Sequence, residues 1–85
     1  MGPAGWYAVG RALGYALISS LFSGENNIVG IVANEIQKAI LNNDIETARA
    51  LLRDLAHRHR KQYEAFLKKY SKDLPPEIIS ELRSI

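Results

Sequence analysis

The chain has 85 residues, no cysteine and a formal net charge of +2. This length allows one domain at most and lies near the size at which a single hydrophobic core becomes marginal. The lack of cysteine excludes disulfides and thiolate metal sites, so we expect close helix packing or oligomerisation to supply the stability. The charges are polarised along the chain, because residues 1–43 carry two basic and two acidic residues whereas residues 53–72 carry seven basic and two acidic ones.

The first predicted helix covers residues 4–22, and apolar side chains surround it on nearly every side. One stripe is formed by Trp6, Val9, Leu13, Leu17 and Leu21, and a second stripe, on a different face, by Tyr7, Tyr15, Ile18 and Phe22. A helix that is apolar all round is typical of a large core or of a membrane. Because a chain this short does not supply a large core, we expect neighbouring copies of the chain, or lipid, to cover the remaining surface.

Two further features of the first helix each have two interpretations. Gly10 and Gly14 have the spacing of the motif by which helices approach closely and dimerise, or they only leave room for neighbouring aromatic rings. Arg11 lies four residues from both Tyr7 and Tyr15, so the three side chains share one helix face. Its guanidinium either stacks on these rings or binds an anion there, or it reaches solvent while its stem packs.

Residues 4–22 are also long enough, at 19 residues, to span a membrane. Their six strongly apolar side chains contribute roughly −3 kcal/mol to insertion, and a central Arg11 costs roughly +3 kcal/mol. Since these terms nearly cancel, a membrane-associated protein anchored by this helix is an alternative that the sequence permits but does not favour.

The second predicted helix covers residues 28–41 and is joined to the third by the turn at residues 42–44. Its apolar stripe consists of Ile28 or Val29, Val32, Ile36, and Ala39 or Ile40. A loop this short between two striped helices predicts a helical hairpin. Asn43, with Glu46 three residues later, fits a capping box in which Asn replaces Ser or Thr.

The third predicted helix covers residues 44–72, and Pro75 and Pro76 stop it before a short last helix over residues 76–84. Its apolar stripe consists of Ala48, Leu52, Leu55, His59, Tyr63, Phe66 and Tyr70. As one continuous helix it would be about 43 Å long, whereas a compact chain of this length is about 30 Å across. We therefore expect its far end to be covered by the first two helices laid nearly end to end, or by another subunit.

A broad basic face lies opposite that stripe and is the candidate site for nucleic acid or an anionic surface. It consists of Arg49, Arg53, Arg60, Lys61, Lys68 and Lys72. The alternative is a face that is simply solvated, because three pairs four residues apart can neutralise charges on the helix itself. These pairs are Asp54–Arg58, Arg60–Glu64 and Glu64–Lys68.

No pattern in the sequence predicts catalysis, a cofactor or a metal site. There is no cysteine nucleophile, no glycine-rich phosphate loop and no dense acidic cluster. His57 and His59 diverge by roughly 160° on a helix and do not chelate one metal within it. We therefore expect a protein that is not an enzyme and acts through its surfaces.

The sequence predicts an all-α fold: a helical hairpin or small helical bundle with a long basic third helix, completed by oligomerisation. We expect a non-catalytic, self-assembling structural or interaction protein that forms a homo-oligomer through apolar side chains. The expected subunit contacts are Trp6, Val9, Leu13, Leu17, Leu21, Phe22, Leu55, His59, Tyr63, Phe66 and Tyr70. The runner-up is a nucleic-acid-binding helical module that uses the basic face.

In layout, with an apolar helix first and a basic segment behind it, the chain resembles small helical coat proteins of filamentous viruses. This resemblance rests on layout alone and on no motif. It implies a subunit whose apolar helix packs against its neighbours while its basic end faces nucleic acid. Independently of this resemblance, we expect a cytoplasmic or virion-like assembly in preference to a secreted protein.

Overall fold

The computed structural model describes residues 4–19, 21 and 27–85. Five α-helices and one short 3-10 helix account for nearly all of these residues, and none of the described residues is in a strand. The helices are α1 (Ala4–Ile18), α2 (Asn27–Leu41), α3 (Ile45–Arg58), α4 (Arg60–Tyr70) and α5 (Pro76–Arg83), with the 3-10 helix at Ser71–Asp73. The predicted all-α fold is confirmed.

The hairpin between α2 and α3 forms as predicted, but its capping residue is different. Asn43 adopts a left-handed backbone with φ of 60°, which Asn tolerates better than most residues. Its N–H donates to the Ile40 carbonyl, and the Asp44 N–H donates to the Ala39 carbonyl, which is the hydrogen-bond pattern of a Schellman motif. The Asp44 carboxylate, and not the Asn43 side chain, caps α3 by accepting from the Thr47 N–H at 3.3 Å.

Glycines allow α1 to lie close against α2 within the same chain. Ile40 side-chain atoms lie 3.5 Å from the position of a Cβ on Gly10, and the Gln37 amide lies 2.9 Å from that of Gly14. The Gln37 Nε2 donates to the Gly10 carbonyl oxygen at 2.8 Å. Since residue numbers rise along α1 as they fall along α2, the two helices run antiparallel. The Gly10–Gly14 spacing therefore serves a close approach inside the chain.

The prediction of one continuous helix over residues 44–72 is wrong, because the segment is divided at His59. This residue has φ of −131° and ψ of 59°, and it both ends α3 and precedes α4. No glycine or proline marks the break in the sequence, so residue propensities do not indicate it. The turn brings Tyr63 and Phe66 into the same core as Leu55, whereas a straight helix would be longer than the 36 Å greatest extent of the chain.

All five helices contribute to one core, and α5 is held to the others by polar contacts as well. Leu13, Ile36, Leu52, Phe66 and Leu82, one from each helix, are completely buried. The last helix begins at Pro76, as predicted, and ends at Arg83. An ion pair between the Arg49 guanidinium and the Glu81 carboxylate joins it to α3. The core is therefore closed within a single chain.

Candidate interaction surfaces

The predicted subunit contacts lie mostly inside this core. Those that are buried are Trp6, Val9, Leu13, Leu55, Tyr63, Phe66 and Tyr70. Leu17, Leu21 and His59 are partly buried, and Phe22 lies outside the described residues. The first apolar stripe of α1 and the stripe of the third predicted helix thus pack against other helices of their own chain. In this conformation the buried side chains are not available to a second subunit.

The second stripe of α1 differs from the first, because its described members are exposed to solvent. Tyr7 and Tyr15 are each about half exposed, and Ile18 is 86% exposed. Ile28, Ile31 and Leu41 are exposed in the same way on α2. These six residues, which we call the hairpin face, are the large apolar side chains that the described part of the chain exposes most. None of them belongs to α3, α4 or α5.

A shallow groove lies where the glycines bring α1 and α2 together, and it meets the hairpin face at Leu41. Its volume is about 240 Å³, and its walls come from both helices. It is lined by Gly10, Arg11, Gln37, Ile40 and Leu41. Leu41, on the rim of this groove, is 78% exposed. The surface therefore presents a depression beside a projecting apolar side chain.

Few charges accompany this apolar surface. Arg11, Glu35 and Lys38 are the charged residues of α1 and α2, and all three are exposed. The Lys38 ammonium and the Glu35 carboxylate lie 3.9 Å apart, so their charges largely offset each other. The hairpin face is therefore close to neutral, with Arg11 as its one cation outside an ion pair among the described residues. Such a surface is suited to an apolar partner more than to a polyanion.

The predicted basic face is not continuous in the structure. Arg49 lies over the Trp6 ring, with 5.4 Å between its guanidinium carbon and the ring centroid, and it is paired with Glu81. Arg60 lies over the Tyr63 ring and donates to the Ile85 carbonyl oxygen at 3.3 Å. Arg60 is nevertheless exposed, as are the other members, Arg53, Lys61, Lys68 and Lys72. Because the chain turns at His59, the cations of α3 and those of α4 do not lie along one helix.

Of the three charge pairs predicted on the third helix, one is formed. The Arg58 Nε donates to the Asp54 carboxylate at 2.9 Å. Glu64 forms no ion pair with Arg60 or with Lys68 in the described part of the chain. The Glu64 carboxylate and the Lys68 ammonium are therefore open to other partners.

A groove between α4 and α5 collects several of these charged groups. It has a volume of about 340 Å³ and is lined by Arg60, Tyr63, Glu64, Leu67, Lys68, Ser71 and Arg83. Arg83 was not among the predicted site residues, because its position depends on where α5 docks. Only the Arg60, Glu64 and Lys68 spacing, at successive steps of four residues, was visible as a shared face in the sequence.

Tyr63 connects the two helices at the back of this groove. Its hydroxyl donates to the Leu82 carbonyl oxygen at 2.6 Å. Burial raises the pKa of Tyr63 to about 12, an effect that the nearby Arg60 charge opposes and the Glu81 charge reinforces. The phenol therefore stays protonated at neutral pH and acts as a fixed hydrogen-bond donor that holds α5 in place.

Two further features concern a membrane-spanning helix and a metal site. Within residues 4–19 and 27–85, no helix has both the length and the apolar character that crossing a membrane requires. Among those same residues, no three His, Asp or Glu side chains come together as metal ligands. The described helix α1 ends at Ile18, and part of the predicted continuation to Phe22 lies outside the described residues.

Comparisons with protein-family models, with curated proteins and with solved structures find no match to this chain. The surfaces of the molecule are therefore the basis on which a function is proposed.

Proposed function

We propose that the protein is a non-catalytic helical interaction module that self-associates through the hairpin face. The observation that carries the proposal is the different fate of the two stripes of α1, one buried in the chain's own core and the other exposed. Single exposed apolar residues are ordinary on protein surfaces, but a group of large ones on two neighbouring helices is typical of an interaction site.

A second copy of the chain fits this surface better than a charged partner does. A nearly neutral apolar surface offers a polyanion little attraction, whereas it is complementary to a surface like itself. In a symmetric dimer the same patch is used by both subunits, so a depression must be matched by a projection on the same patch. The groove at Gly10 and the projecting Leu41 provide both elements, and Leu41 of one subunit would enter the groove of the other.

Burial of the hairpin face would also add apolar contact to a small protein. A domain of this size buries a comparatively small share of its surface on folding and has a small margin of stability. Each large side chain that is moved from water into an interface contributes about 1.5–3 kcal/mol when its burial is complete. Association through the hairpin face is therefore expected to raise the stability of the fold as protein concentration rises.

The test is the molar mass in solution, measured by light scattering after size exclusion without detergent. We expect a mass above the 9.5 kDa of one chain at both low and high salt, since apolar contacts do not weaken with salt. The double variant Ile31→Glu with Leu41→Glu should return the mass to that of one chain. The double variant Ala50→Glu with Ala65→Glu, which places the same two charges on exposed positions of α3 and α4, is the control and should leave the mass unchanged.

Two results would overturn the proposal. A native chain that elutes as a monomer at every concentration would remove self-association altogether. An oligomer that persists in the double variant of Ile31 and Leu41 would move the contact away from the hairpin face. Circular dichroism of each variant separates loss of association from loss of folding.

The nucleic-acid-binding alternative is weaker. Arg49 and Arg60 already have partners within the fold, and the remaining cations are divided between helices that are interrupted at His59. Binding to nucleic acid through these residues should fall steeply with salt. A fluorescence anisotropy titration of a labelled oligonucleotide at two salt concentrations tests it, and salt-independent binding or none would remove it.

A further inference from the structure

We infer that the groove between α4 and α5 binds a single phosphate group, carried by a small molecule or free in solution. This inference concerns α4 and α5 and does not depend on the proposed self-association through α1 and α2. The groove has a volume of about 340 Å³, which is the lower end of the range for small-molecule sites. It brings together cations from two helices, which is the feature that distinguishes it from an ordinary solvated helix face.

The charges in the groove suit a dianion. The lining of the groove contains three cations, Arg60, Lys68 and Arg83, and one carboxylate, that of Glu64. Its net charge is therefore +2. A phosphate monoester carries about −1.5 to −2 charges at neutral pH. A longer polyanion would place further phosphates beyond the groove or against Glu64, where it would be repelled. The balance of charges therefore favours one phosphate group over a nucleic-acid backbone.

The cations are available, and one of them is already held in position. In the described part of the chain, neither Lys68 nor Arg83 forms an ion pair. Arg60 is fixed by the Tyr63 ring beneath it and by its hydrogen bond to the Ile85 carbonyl, which uses one of its five N–H donors. A guanidinium that is held in place loses less freedom when it binds a phosphate through its remaining donors.

The other walls define the kind of molecule that the groove accepts. Leu67 forms an apolar side above the buried Tyr63 ring, whereas the Ser71 hydroxyl, which donates to the Lys68 carbonyl oxygen at 3.5 Å, adds a polar side. Glu64 disfavours a second anionic group and accepts a hydrogen bond from a hydroxyl on the ligand. The groove is thus suited to a phosphate monoester of a small polar alcohol, with inorganic phosphate as the simplest ligand that shares its chemistry.

The test is a titration of the amide resonances of the full chain with inorganic phosphate at constant ionic strength and pH. Saturable shifts are expected in α4 and α5, with a Kd in the millimolar range or below. Lys68→Gln and Arg83→Gln should each weaken binding about tenfold, because each removes a charge-assisted hydrogen bond. Neither substitution removes an ion pair of the fold. A parallel titration with glycerol 3-phosphate shows whether the esterified form binds more tightly than free phosphate.

Matched controls on exposed cations outside the groove make the outcome decisive. Lys61→Gln and Arg53→Gln remove the same charges from α4 and α3, and both should leave the affinity within about twofold, as expected for an exposed charge screened by salt. Equal losses in groove and control variants would mean general electrostatic attraction and would overturn the inference. Shifts that remain linear up to about 10 mM of either ligand, well above a millimolar Kd, would overturn it as well.

Discussion

The α1–α2 hairpin and the α3–α5 segment share one core but present different surfaces to solvent. The hairpin helices contain 3 charged residues in their 30 positions, whereas α3, α4 and α5 contain 13 in 33. The large apolar side chains of the second region are buried or half-buried, and its surface is formed by charged groups. The hairpin instead leaves Ile18, Ile31 and Leu41 in contact with water.

This difference shows that the apolar composition of the hairpin exceeds what its own core uses. In α3–α5, each stripe of apolar residues corresponds to a buried face. The core of a single chain therefore accommodates these stripes. In α1, two stripes are present and the core takes the first of them. Of the second, Tyr15 stacks on the buried Tyr70 ring with 6.4 Å between centroids, whereas Ile18 is left 86% exposed. The excess lies on the exposed sides of α1 and α2, which is why we assign contact with a second chain to the hairpin and solvent or anions to the other region.

The largest expected effect distinguishes the two kinds of apolar residue within the hairpin. Leu13 is completely buried and Leu41 is mostly exposed, although both are leucines on neighbouring helices. Leu13→Ala should lower the free energy of unfolding by about 2–5 kcal/mol through the lost burial and the cavity. Leu41→Ala should change the free energy of unfolding of the dilute monomer by less than about 0.5 kcal/mol. The same substitution should weaken association between chains.

Urea denaturation at low protein concentration measures both values. A large loss of stability for Leu41→Ala in the dilute monomer would mean that this side chain supports the fold itself. A small loss for Leu13→Ala would mean that the first stripe of α1 is not part of the core. Either result would remove the contrast on which the assignment of the hairpin face rests.

An effect of intermediate size belongs to Tyr63 in the charged region. Burial raises the pKa of this phenol in the folded chain to about 12, above its usual value of 10.0. Its contribution to stability is therefore complete below pH 10 and is lost as the pH rises through about 12. The loss amounts to about 2–3 kcal/mol, since each pKa unit corresponds to about 1.4 kcal/mol.

Tyr63→Phe is the matched comparison. It should be about 1 kcal/mol less stable than the native chain at pH 8, because it lacks the hydrogen bond to Leu82. Between pH 10 and pH 12 this difference should shrink and then reverse, which urea denaturation at a series of pH values records. Parallel curves for the two chains over that range would show that Tyr63 is not held protonated by the fold.

The smallest effects concern the glycines that bring α1 and α2 together. A Cβ on Gly10 would meet Ile40 at an ordinary contact distance of 3.5 Å, so Gly10→Ala should stabilise α1 by about 0.5–1 kcal/mol. A Cβ on Gly14 would lie 2.9 Å from the Gln37 amide, and displacing that amide costs its hydrogen bond to Gly10. Gly14→Ala should therefore be near neutral, and thermal unfolding of both variants checks the order. The reverse order would contradict the described approach of the two helices.

Features set by local sequence were predictable, and features set by long-range packing were not. Asn43 and Pro76 mark the end of α2 and the start of α5, because left-handed backbone and a fixed φ are properties of the residues themselves. The break at His59 has no such marker. His59 adopts a non-helical backbone there, although nothing in its residue type or in its neighbours demands one.

The interface residues show a second limit of the same kind. Periodicity identifies the face of a helix that is buried, but it does not indicate whether its own chain or a partner buries it. Leu13 and Phe66 were therefore assigned to subunit contacts, although they lie in the core. Gln37 and Arg83 were missed, since their roles come from contacts with α1 and α4 that are distant in sequence.

The most direct test of self-association through the hairpin face is intermolecular paramagnetic broadening. Because the chain has no cysteine, Asn34→Cys on the exposed side of α2 provides one attachment point for a spin label. The spin-labelled chain is prepared at natural isotope abundance and mixed with native chain enriched in ¹⁵N. Only the native chain is then observed, so any broadening of its signals arises between chains. We predict that amide signals in α1 and α2 broaden more strongly than those in α3–α5, because the broadening falls steeply with distance from the label. Broadening centred on α3–α5, or none in a sample of oligomeric mass, would contradict the account.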